Sequence, residues 1–219
     1  MISMEILEVM KSRHSVRQYT DKKIESDKRN ALNELAAECN AKSGMNIQVI
    51  YDEPKCFSSL MAHYGRFSGC ENYIAVVGRK SKDLGEKAGY YGERLVLKAQ
   101  ELGLNTCWVA LTHGKSAAKI EKGEKLAIII ALGYGANQGV AHKSKPLSDV
   151  CNMTEDAPEW FRAGMEAVML APTAMNQQKF RFTQEGDRVK AVATGGSCSQ
   201  INLGIVKYHF EAVSGHKTD

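Results

Sequence analysis

One short pattern occurs twice in this chain of 219 residues, and a repeat of this kind constrains the organisation of the whole fold. A predicted helix leads into Gly44-Met45-Asn46-Ile47-Gln48 and a strand, and a second predicted helix leads into Ala174-Met175-Asn176-Gln177-Gln178 and a strand. Matching residues are 130 positions apart in three pairs: Met45 and Met175, Asn46 and Asn176, and Gln48 and Gln178. Three matches in a short window could also arise by coincidence. Taken as a repeat, the pattern predicts two related lobes packed about a pseudo-twofold axis.

The order of the predicted elements indicates the fold class. Apolar spacing and capping residues predict five helices. The first ends before Arg13, the second has its N-cap at Ser26 and stops at Gly44, the third covers 86–102, the fourth begins at Asp156 and Pro158, and the fifth covers 200–212. Alternation and apolar runs predict strands at 47–51, 73–77, 106–111 and 126–132, and a hairpin at 180–193. This order predicts an α+β fold with a mixed β-sheet flanked by helices. We expect an N-terminal lobe over 1–152 and a C-terminal lobe over 153–219.

Composition argues against several classes of protein. The formal charge is +4, and no run of basic residues suggests a nucleic-acid partner. Six cysteines without regular spacing indicate a reducing, cytoplasmic location, and neither they nor the six histidines have metal-ligand spacing. Glu5 and Glu8 argue against an N-terminal signal, and the longest apolar run, 126–132, is too short to cross a bilayer. We therefore expect no metal, no nucleic acid and no membrane.

Two separated segments carry the side chains with binding chemistry. Arg13-His14-Ser15-Val16-Arg17-Gln18-Tyr19 offers two guanidinium groups and a hydroxyl, which suit a phosphate, although two such arginines could also belong to a solvated helix end. Ala171-Pro172-Thr173-Ala174-Met175-Asn176-Gln177-Gln178 offers two carboxamides after a proline, which suit a flat ligand that donates and accepts hydrogen bonds. A phosphate and an amide-edged ring together describe flavin mononucleotide (FMN).

Other candidate motifs do not support a function. Gly133-Tyr134-Gly135-Ala136-Asn137-Gln138-Gly139 has Gln138 where a dinucleotide fingerprint needs its third glycine, and no helix is predicted after it. No serine lies in a nucleophile elbow, and Glu166 is better explained as a solvated carboxylate than as a general base. An enzyme without a convincing acid–base or metal set needs a cofactor that supplies the reactive atoms.

Four segments in company resemble the flavin-dependent nitroreductase family, in the subset of the thermophile type. The resembling segments are Arg13–Tyr19, Leu102–Ala110 with its Cys107-Trp108 pair, Leu132–Gly135 followed by Lys143–Leu147, and Ala171–Gln178. Thr173 and Lys179 replace the usual serine and proline of the Ala-Pro-Ser motif. In ordinary members this motif follows the first long helix, whereas here it lies in the C-terminal lobe.

The resemblance implies a nitroreductase-like fold of two pseudo-repeated lobes and an FMN site, with the C-terminal lobe completing that site. The implied cofactor-binding residues are Arg13, His14, Ser15, Arg17, Trp108, Val109, Ala110, Leu111, Lys143, Lys145, Pro172, Thr173, Ala174, Asn176 and Gln178. Ordinary members are homodimers with flavin at the subunit interface. We expect a homodimer here too, with the alternative that one pseudo-dimeric chain supplies both halves of the site.

The resemblance also implies a flavoprotein oxidoreductase that takes a hydride from NADH or NADPH at flavin N5 and reduces nitroaromatic, quinone or similar small-molecule acceptors by a ping-pong mechanism. No side chain need be catalytic in such a reaction. Two alternatives remain: a non-catalytic FMN-binding protein that stores or senses flavin, and a colourless small-molecule or partner-binding protein with a degenerate site.

Overall fold

The computed structural model describes residues 2–219, except for the side chains of residues 2–5. Its α-helices over these residues are α1 (Ile2–Ser12), α2 (Ser26–Ser43), α3 (Leu60–Tyr64), α4 (Leu84–Glu101), α5 (Glu159–Val168) and α6 (Ser199–Ser214). Its strands are β1 (Asn46–Ile50), β2 (Asn72–Arg79), β3 (Asn105–Val109), β4 (Glu124–Gly133), β5 (Phe180–Glu185) and β6 (Arg188–Ala193). The predicted order of helices and strands is confirmed, and α3 is an addition to it.

The chain forms two compact units, each drawn from separated segments. The sheet unit comprises Arg13–Leu84 and Arg94–Ala141, and the hairpin unit comprises Met1–Ser12, Gly85–Glu93 and His142–Asp219. The division at 141/142 differs from the lobe boundary expected at 152/153. The physical reason is that the segment after residue 141 is hydrogen-bonded to residues 169, 176 and 178 of the hairpin unit.

The sheet unit is built on a four-stranded sheet of order β1-β2-β4-β3. Its ladders are antiparallel, and an isolated parallel bridge joins Ser15 to Thr106 of β3, so the α+β fold with a mixed sheet is confirmed. Ile74 of β2 faces Ile130 of β4, and both are fully buried. The central strands therefore supply the core that supports β3 at the sheet edge.

Helix α2 ends as the sequence predicts and begins one residue earlier than expected. Gly44 adopts the left-handed conformation, φ 70°, in which glycine carries no side-chain penalty. The N-cap is Glu25 rather than Ser26, because the backbone is still extended at Glu25 and already helical at Ser26. Ser26 is thus the first residue of the helix.

An exposed carboxylate on α2 is held by two cations of the same unit. Glu38 accepts hydrogen bonds from Lys42 at 2.7 Å and from Arg94 at 2.9 Å. The hydrogen bond from Lys42, then that from Arg94, lowers the pKa of Glu38 to about 2. The neighbouring Cys39 is fully buried, as its place on the apolar face predicts.

The hairpin unit packs α5 and α6 against the β5–β6 hairpin. The hairpin turns at Gly186, φ 60°, as the Glu185-Gly186-Asp187 sequence predicts. Phe161, Phe182 and Phe210 are fully buried, and the ring centroid of Phe210 lies 5.8 Å from that of Phe161 and 5.3 Å from that of Phe182. These aromatic contacts join both helices to the hairpin.

The first half of α4 lies against α6 with no room for side chains between the two backbones. A Cβ atom added at Gly89 would lie 2.0 Å from the carbonyl oxygen of Ile201, and one at Gly204 would lie 1.9 Å from that of Glu86. Two glycines, one on each helix, therefore set the separation of α4 and α6.

Over residues 2–219, no helix has both the length and the apolar character needed to cross a membrane.

Candidate functional site

The opening segment, defined as Arg13–Tyr19, runs along β3 directly after α1 ends. The Val16 amide donates a hydrogen bond of 3.0 Å to the Thr106 carbonyl, in register with the bridge between Ser15 and Thr106. Val16 is buried in the core of the sheet unit, whereas Arg17 is exposed. Arg13 is charged yet only 4% exposed. The predicted binding residues are therefore held by an ordered strand-like backbone rather than by a solvated helix end.

The polar side chains of the opening segment affect the pKa of Cys107 on β3. Burial raises the pKa of the Cys107 thiol, while the charge of Arg17, a hydrogen bond with Ser15 and the charge of Arg13 oppose that rise. Two guanidinium groups and one hydroxyl within residues 13–17, in one segment beside β3, form a donor set that suits a phosphate.

The glycine-rich segment 133–139 supports the opening segment. The Ala136 amide donates to the Gln18 carbonyl at 2.8 Å, and His14 Nδ1 lies 3.2 Å from the Gln138 carbonyl oxygen. A Cβ atom at Gly139 would lie 2.9 Å from the Ser15 carbonyl oxygen and still closer to the His14 side chain. The glycine here permits close packing of two loops, and the segment is not a dinucleotide fingerprint.

The end of β3 differs from the predicted strand over 106–111. Pairing stops at Val109, so Ala110 and Leu111 lie beyond the strand, and Leu111 is 80% exposed. Val109 is buried in the same core cluster as Cys107, and its side chain is therefore unavailable to a ligand. Alternation along the strand directs Trp108, which is half-buried, to the opposite face.

The amide loop, defined as Ala171–Gln178, has an unusual backbone. Met175, Asn176 and Gln178 have φ values of 52°, 52° and 47°, in the left-handed region that such residues rarely adopt. Each costs about 1 kcal/mol or more, and a cluster of such residues is typical of binding sites. Met175 and Asn176 are exposed as a result.

Side chains of the hairpin unit hold the loop in this conformation. The Ala174 amide donates to Oδ1 of Asn202 at 3.0 Å, and the Gln178 amide donates to the Thr173 hydroxyl at 3.0 Å. Pro172, Thr173 and Ala174 are half-buried. Asn202 on α6 is 3% exposed, and its side-chain amide also donates to the Ser197 carbonyl at 3.0 Å.

The lysine strap, defined as His142–Lys145, is fastened to the amide loop. Nδ2 of Asn176 and Nε2 of Gln178 each donate to the Lys143 carbonyl at 2.8 Å. The Lys145 amide donates to Oε1 of Gln178 at 2.9 Å. Gln178 is only 3% exposed, whereas both lysines are exposed. The strap therefore presents two cations beside the exposed carboxamide of Asn176.

The sheet unit contains a similar arrangement at the other copy of the repeat, in which the glutamine bonds one lysine instead of two. Nε2 of Gln48 donates to the Lys119 carbonyl at 2.8 Å and to Oδ1 of Asn46 at 3.2 Å, and the Lys119 amide donates to Oε1 of Gln48 at 2.9 Å. In the hairpin unit, Nε2 of Gln178 likewise donates to Oδ1 of Asn176 at 2.8 Å. The repeat therefore extends to the hydrogen bonds, and each copy binds the backbone of a lysine-containing segment.

A fully buried polar pair in the hairpin unit was missed by sequence reasoning. Nε2 of His209 lies 2.9 Å from Oε1 of Glu93, and its Nδ1 lies 2.9 Å from the Ala167 carbonyl oxygen. Neither side chain is exposed. Asn202 was missed as well. The signal that could have identified these buried polar residues is a polar side chain on an otherwise apolar helix face, at positions 93, 202 and 209.

Each unit by itself offers groups with binding chemistry. In the sheet unit, Arg13, Ser15 and Arg17 lie within one five-residue segment beside β3. In the hairpin unit, Asn176 bonds the carbonyl of Lys143, and Lys143 and Lys145 are exposed. Cations and a hydroxyl match a phosphate, and an exposed carboxamide matches the pyrimidine edge of a flavin ring. Within residues 2–219, no group of three or more His, Cys, Asp or Glu side chains is placed to hold a metal ion.

The chain is similar to nitroreductases over nearly all of its length. Residues 5–214 match the family model described as "Putative TM nitroreductase". A putative nitroreductase of Thermotoga maritima shares 22% identity, with a TM-score of 0.72 over 95% of this chain and 82% of that one.

Smaller nitroreductases match part of the chain. A putative nitroreductase of Desulfovibrio desulfuricans, solved in complex with FMN, shares 20% identity, with a TM-score of 0.53 over 70% of this chain and 96% of that one. A nitroreductase family protein of Streptococcus pneumoniae shares 16% identity, with a TM-score of 0.54 over 68% and 99%. No curated protein matches. The structural likenesses bear out the nitroreductase-like fold.

Proposed function

The chain belongs to the putative TM nitroreductase family, and on this premise we propose that it is an FMN-dependent oxidoreductase that uses NADH or NADPH to reduce a small-molecule electron acceptor. The observation that carries the proposal is the opening segment itself, which carries Arg13, Ser15 and Arg17 within five residues on a backbone bonded to β3. A buried arginine, an exposed arginine and a hydroxyl in one ordered segment can supply both charge and directed hydrogen bonds to a phosphate.

The remaining site residues are assigned by what they offer. Lys143 and Lys145 add two exposed cations, which also suit the phosphate. Asn176 is exposed, and its carboxamide bonds the Lys143 carbonyl and Nε2 of Gln178. One N–H and one oxygen lone pair remain for the pyrimidine edge of the ring. Accessible side chains at the end of β3 are those of Trp108, Ala110 and Leu111. The Val109 side chain is buried in the core, so only its backbone could contact the ring. His14 contacts the Gln138 carbonyl and supports the opening segment.

Bound FMN would supply a ring that takes hydride from the nicotinamide and passes it to nitroaromatic, quinone or similar acceptors. The chain's own residues bind and orient the cofactor. Fixed cations neutralise the phosphate, and hydrogen-bond donors at the ring stabilise negative charge on it. This division of work explains how an oxidoreductase can function without an acid–base pair of its own.

The first experiment is a visible absorption spectrum of the purified protein, with FMN added if needed, recorded before and after NADPH or NADH under anaerobic conditions. We expect a flavin spectrum that bleaches with a nicotinamide and returns when a quinone or nitroaromatic is added. A flavin spectrum that persists would refute the oxidoreductase and favour a protein that stores or senses FMN. A protein that does not bind FMN at all would refute the cofactor assignment.

A further inference from the structure

Gln178 lies in the motif expected to line the flavin ring, yet its carboxamide is directed into the protein. The residue is 3% exposed. Its Nε2 donates to the Lys143 carbonyl and to Oδ1 of Asn176, both at 2.8 Å, and its Oε1 accepts from the Lys145 amide at 2.9 Å. Both ends of the carboxamide are therefore engaged inside the hairpin unit.

We propose that Gln178 is a positioning residue, which holds the lysine strap so that Lys143 and Lys145 can meet the phosphate of FMN. The inference rests on the proposed function. Gln178 bonds the carbonyl of one lysine and the amide of the other, so it fixes the backbone on both sides of Ser144. It acts on the cofactor through these lysines and not through contact with the ring.

The strap depends on such bonds because it has no regular secondary structure of its own. Further attachments of the strap also start from side chains. Nε2 of His142 lies 3.0 Å from the Met169 carbonyl oxygen, and the Ser144 hydroxyl donates to the same oxygen at 3.2 Å. The Lys145 ammonium donates to the Gln178 carbonyl at 3.4 Å. Without Gln178, the lysine backbones lose two bonds and gain freedom that phosphate binding must then remove.

The other copy of the repeat supports a mechanical role for this glutamine. Gln48 forms a related pair of bonds, to the carbonyl and the amide of the single residue Lys119, and a bond to Oδ1 of Asn46 as well. That copy has neither the proline nor the left-handed asparagine of the amide loop. Similar bonds thus occur where no cofactor contact is proposed, and Gln48 provides a matched control.

The test compares FMN with riboflavin, which has the same ring and no phosphate. Gln178→Met keeps the side-chain volume and removes all bonds of the carboxamide. Because each lost bond has a modest net worth, we expect FMN to bind about tenfold more weakly and riboflavin to bind as in the wild type. Gln48→Met should leave both affinities unchanged. Amide exchange of Lys145 in the flavin-free protein should become faster in Gln178→Met only.

The outcomes separate this inference from the proposed function. If the wild type binds no flavin, the proposed function fails, and the inference fails with it. If the wild type prefers FMN but Gln178→Met loses both flavins equally, Gln178 acts at the ring or on the loop, and only the inference is overturned. An unchanged FMN preference in Gln178→Met overturns it too.

A second variant covers the case in which Gln178→Met does not fold. Both lysines are exposed, so Lys143→Ala/Lys145→Ala should fold normally. We expect this variant to lose the preference for FMN over riboflavin. If it keeps that preference, the strap does not bind phosphate, and the inference is overturned whatever Gln178 does.

Discussion

The close crossing of α4 and α6 gives the sharpest prediction for the scaffold of the amide loop. In Gly204→Ala, the new Cβ would lie 1.9 Å from the Glu86 carbonyl oxygen and 2.6 Å from the Tyr90 amide nitrogen. Both atoms belong to the backbone of α4, so no side chain can rotate away. The same helix α6 carries Asn202, which holds the Ala174 amide of the loop.

The magnitude follows from the displacement that the methyl group requires. Observed Cβ contacts begin near 3.0 Å, so the backbones must move apart by about 1.1 Å at this point. Overpacking of this kind costs about 3 kcal/mol, and a gap of 0.5–1 Å loses roughly a quarter to a half of each dispersion contact that it opens. The greater helix propensity of alanine offsets about 1 kcal/mol. We expect a net loss of about 2–3 kcal/mol in the free energy of unfolding.

Guanidinium unfolding, followed by circular dichroism and tryptophan fluorescence, measures this loss as a lower midpoint with an unchanged slope. Gln200→Ala, at an exposed position of the same helix, is the control and should stay within about 0.5 kcal/mol of the wild type. Gly89→Ala should also destabilise. The double variant should lose less than the sum, because helices already displaced have room for the second methyl group. A Gly204→Ala protein as stable as the wild type would refute the reasoning.

Three further predictions concern charged groups. Replacing both Arg13 and Arg17 with alanine should weaken FMN binding by at least about 100-fold, because two charge-assisted contacts are lost; fluorescence titration measures this loss. A double variant that purifies with full flavin content would contradict the phosphate assignment. Glu93→Leu should lower the free energy of unfolding by about 3 kcal/mol, because it leaves His209 buried without its carboxylate. Glu93→Gln can still donate a hydrogen bond to the ring and should lose about 1 kcal/mol. Equal losses of the two variants in denaturant titrations would count against a stabilising role for this pair. Hydrogen bonds from Lys42 and Arg94 lower the pKa of Glu38 to about 2, so its contribution to stability is present above about pH 4.5 and is lost as the pH falls towards 2. Over this pH range the melting temperature of Glu38→Gln should fall less than that of the wild type. Identical pH profiles would argue against a role for Glu38.

Local patterns were sufficient to predict most of the fold. The hairpin was predicted at 180–193, where strand alternation and a glycine turn act together, and it lies there. Helix α3 was missed because Leu60–Tyr64 is too short to show helical periodicity. Its N-cap is a single serine, Ser59, whose hydroxyl accepts a hydrogen bond from the Ala62 amide. Strand β3 ends at Val109 rather than residue 111, because its partner β4 pairs no further.

Partners distant in the chain could not be predicted from the site motifs. The sequence marks Gln178 as a polar residue in a binding motif, but its burial depends on Lys143 and Lys145, more than 30 positions earlier. The same holds for His209, whose contact with Glu93 spans 116 positions. A sequence motif identifies which functional groups are present. Contacts between residues distant in the chain decide which of these groups remain accessible to a ligand.

The two copies of the repeat make this distinction within one chain. Met45 is 7% exposed, and Asn46 continues directly into a strand. In the second copy Met175 is 76% exposed, because the left-handed backbone at Met175 and Asn176 turns these residues outward. Equivalent residues with similar glutamine bonds thus differ in what they present to solvent. Backbone conformation therefore makes the second copy the candidate for ligand binding. The sequence shows part of this difference, because a proline precedes the second copy only and the first copy continues as the alternating strand that begins at Ile47.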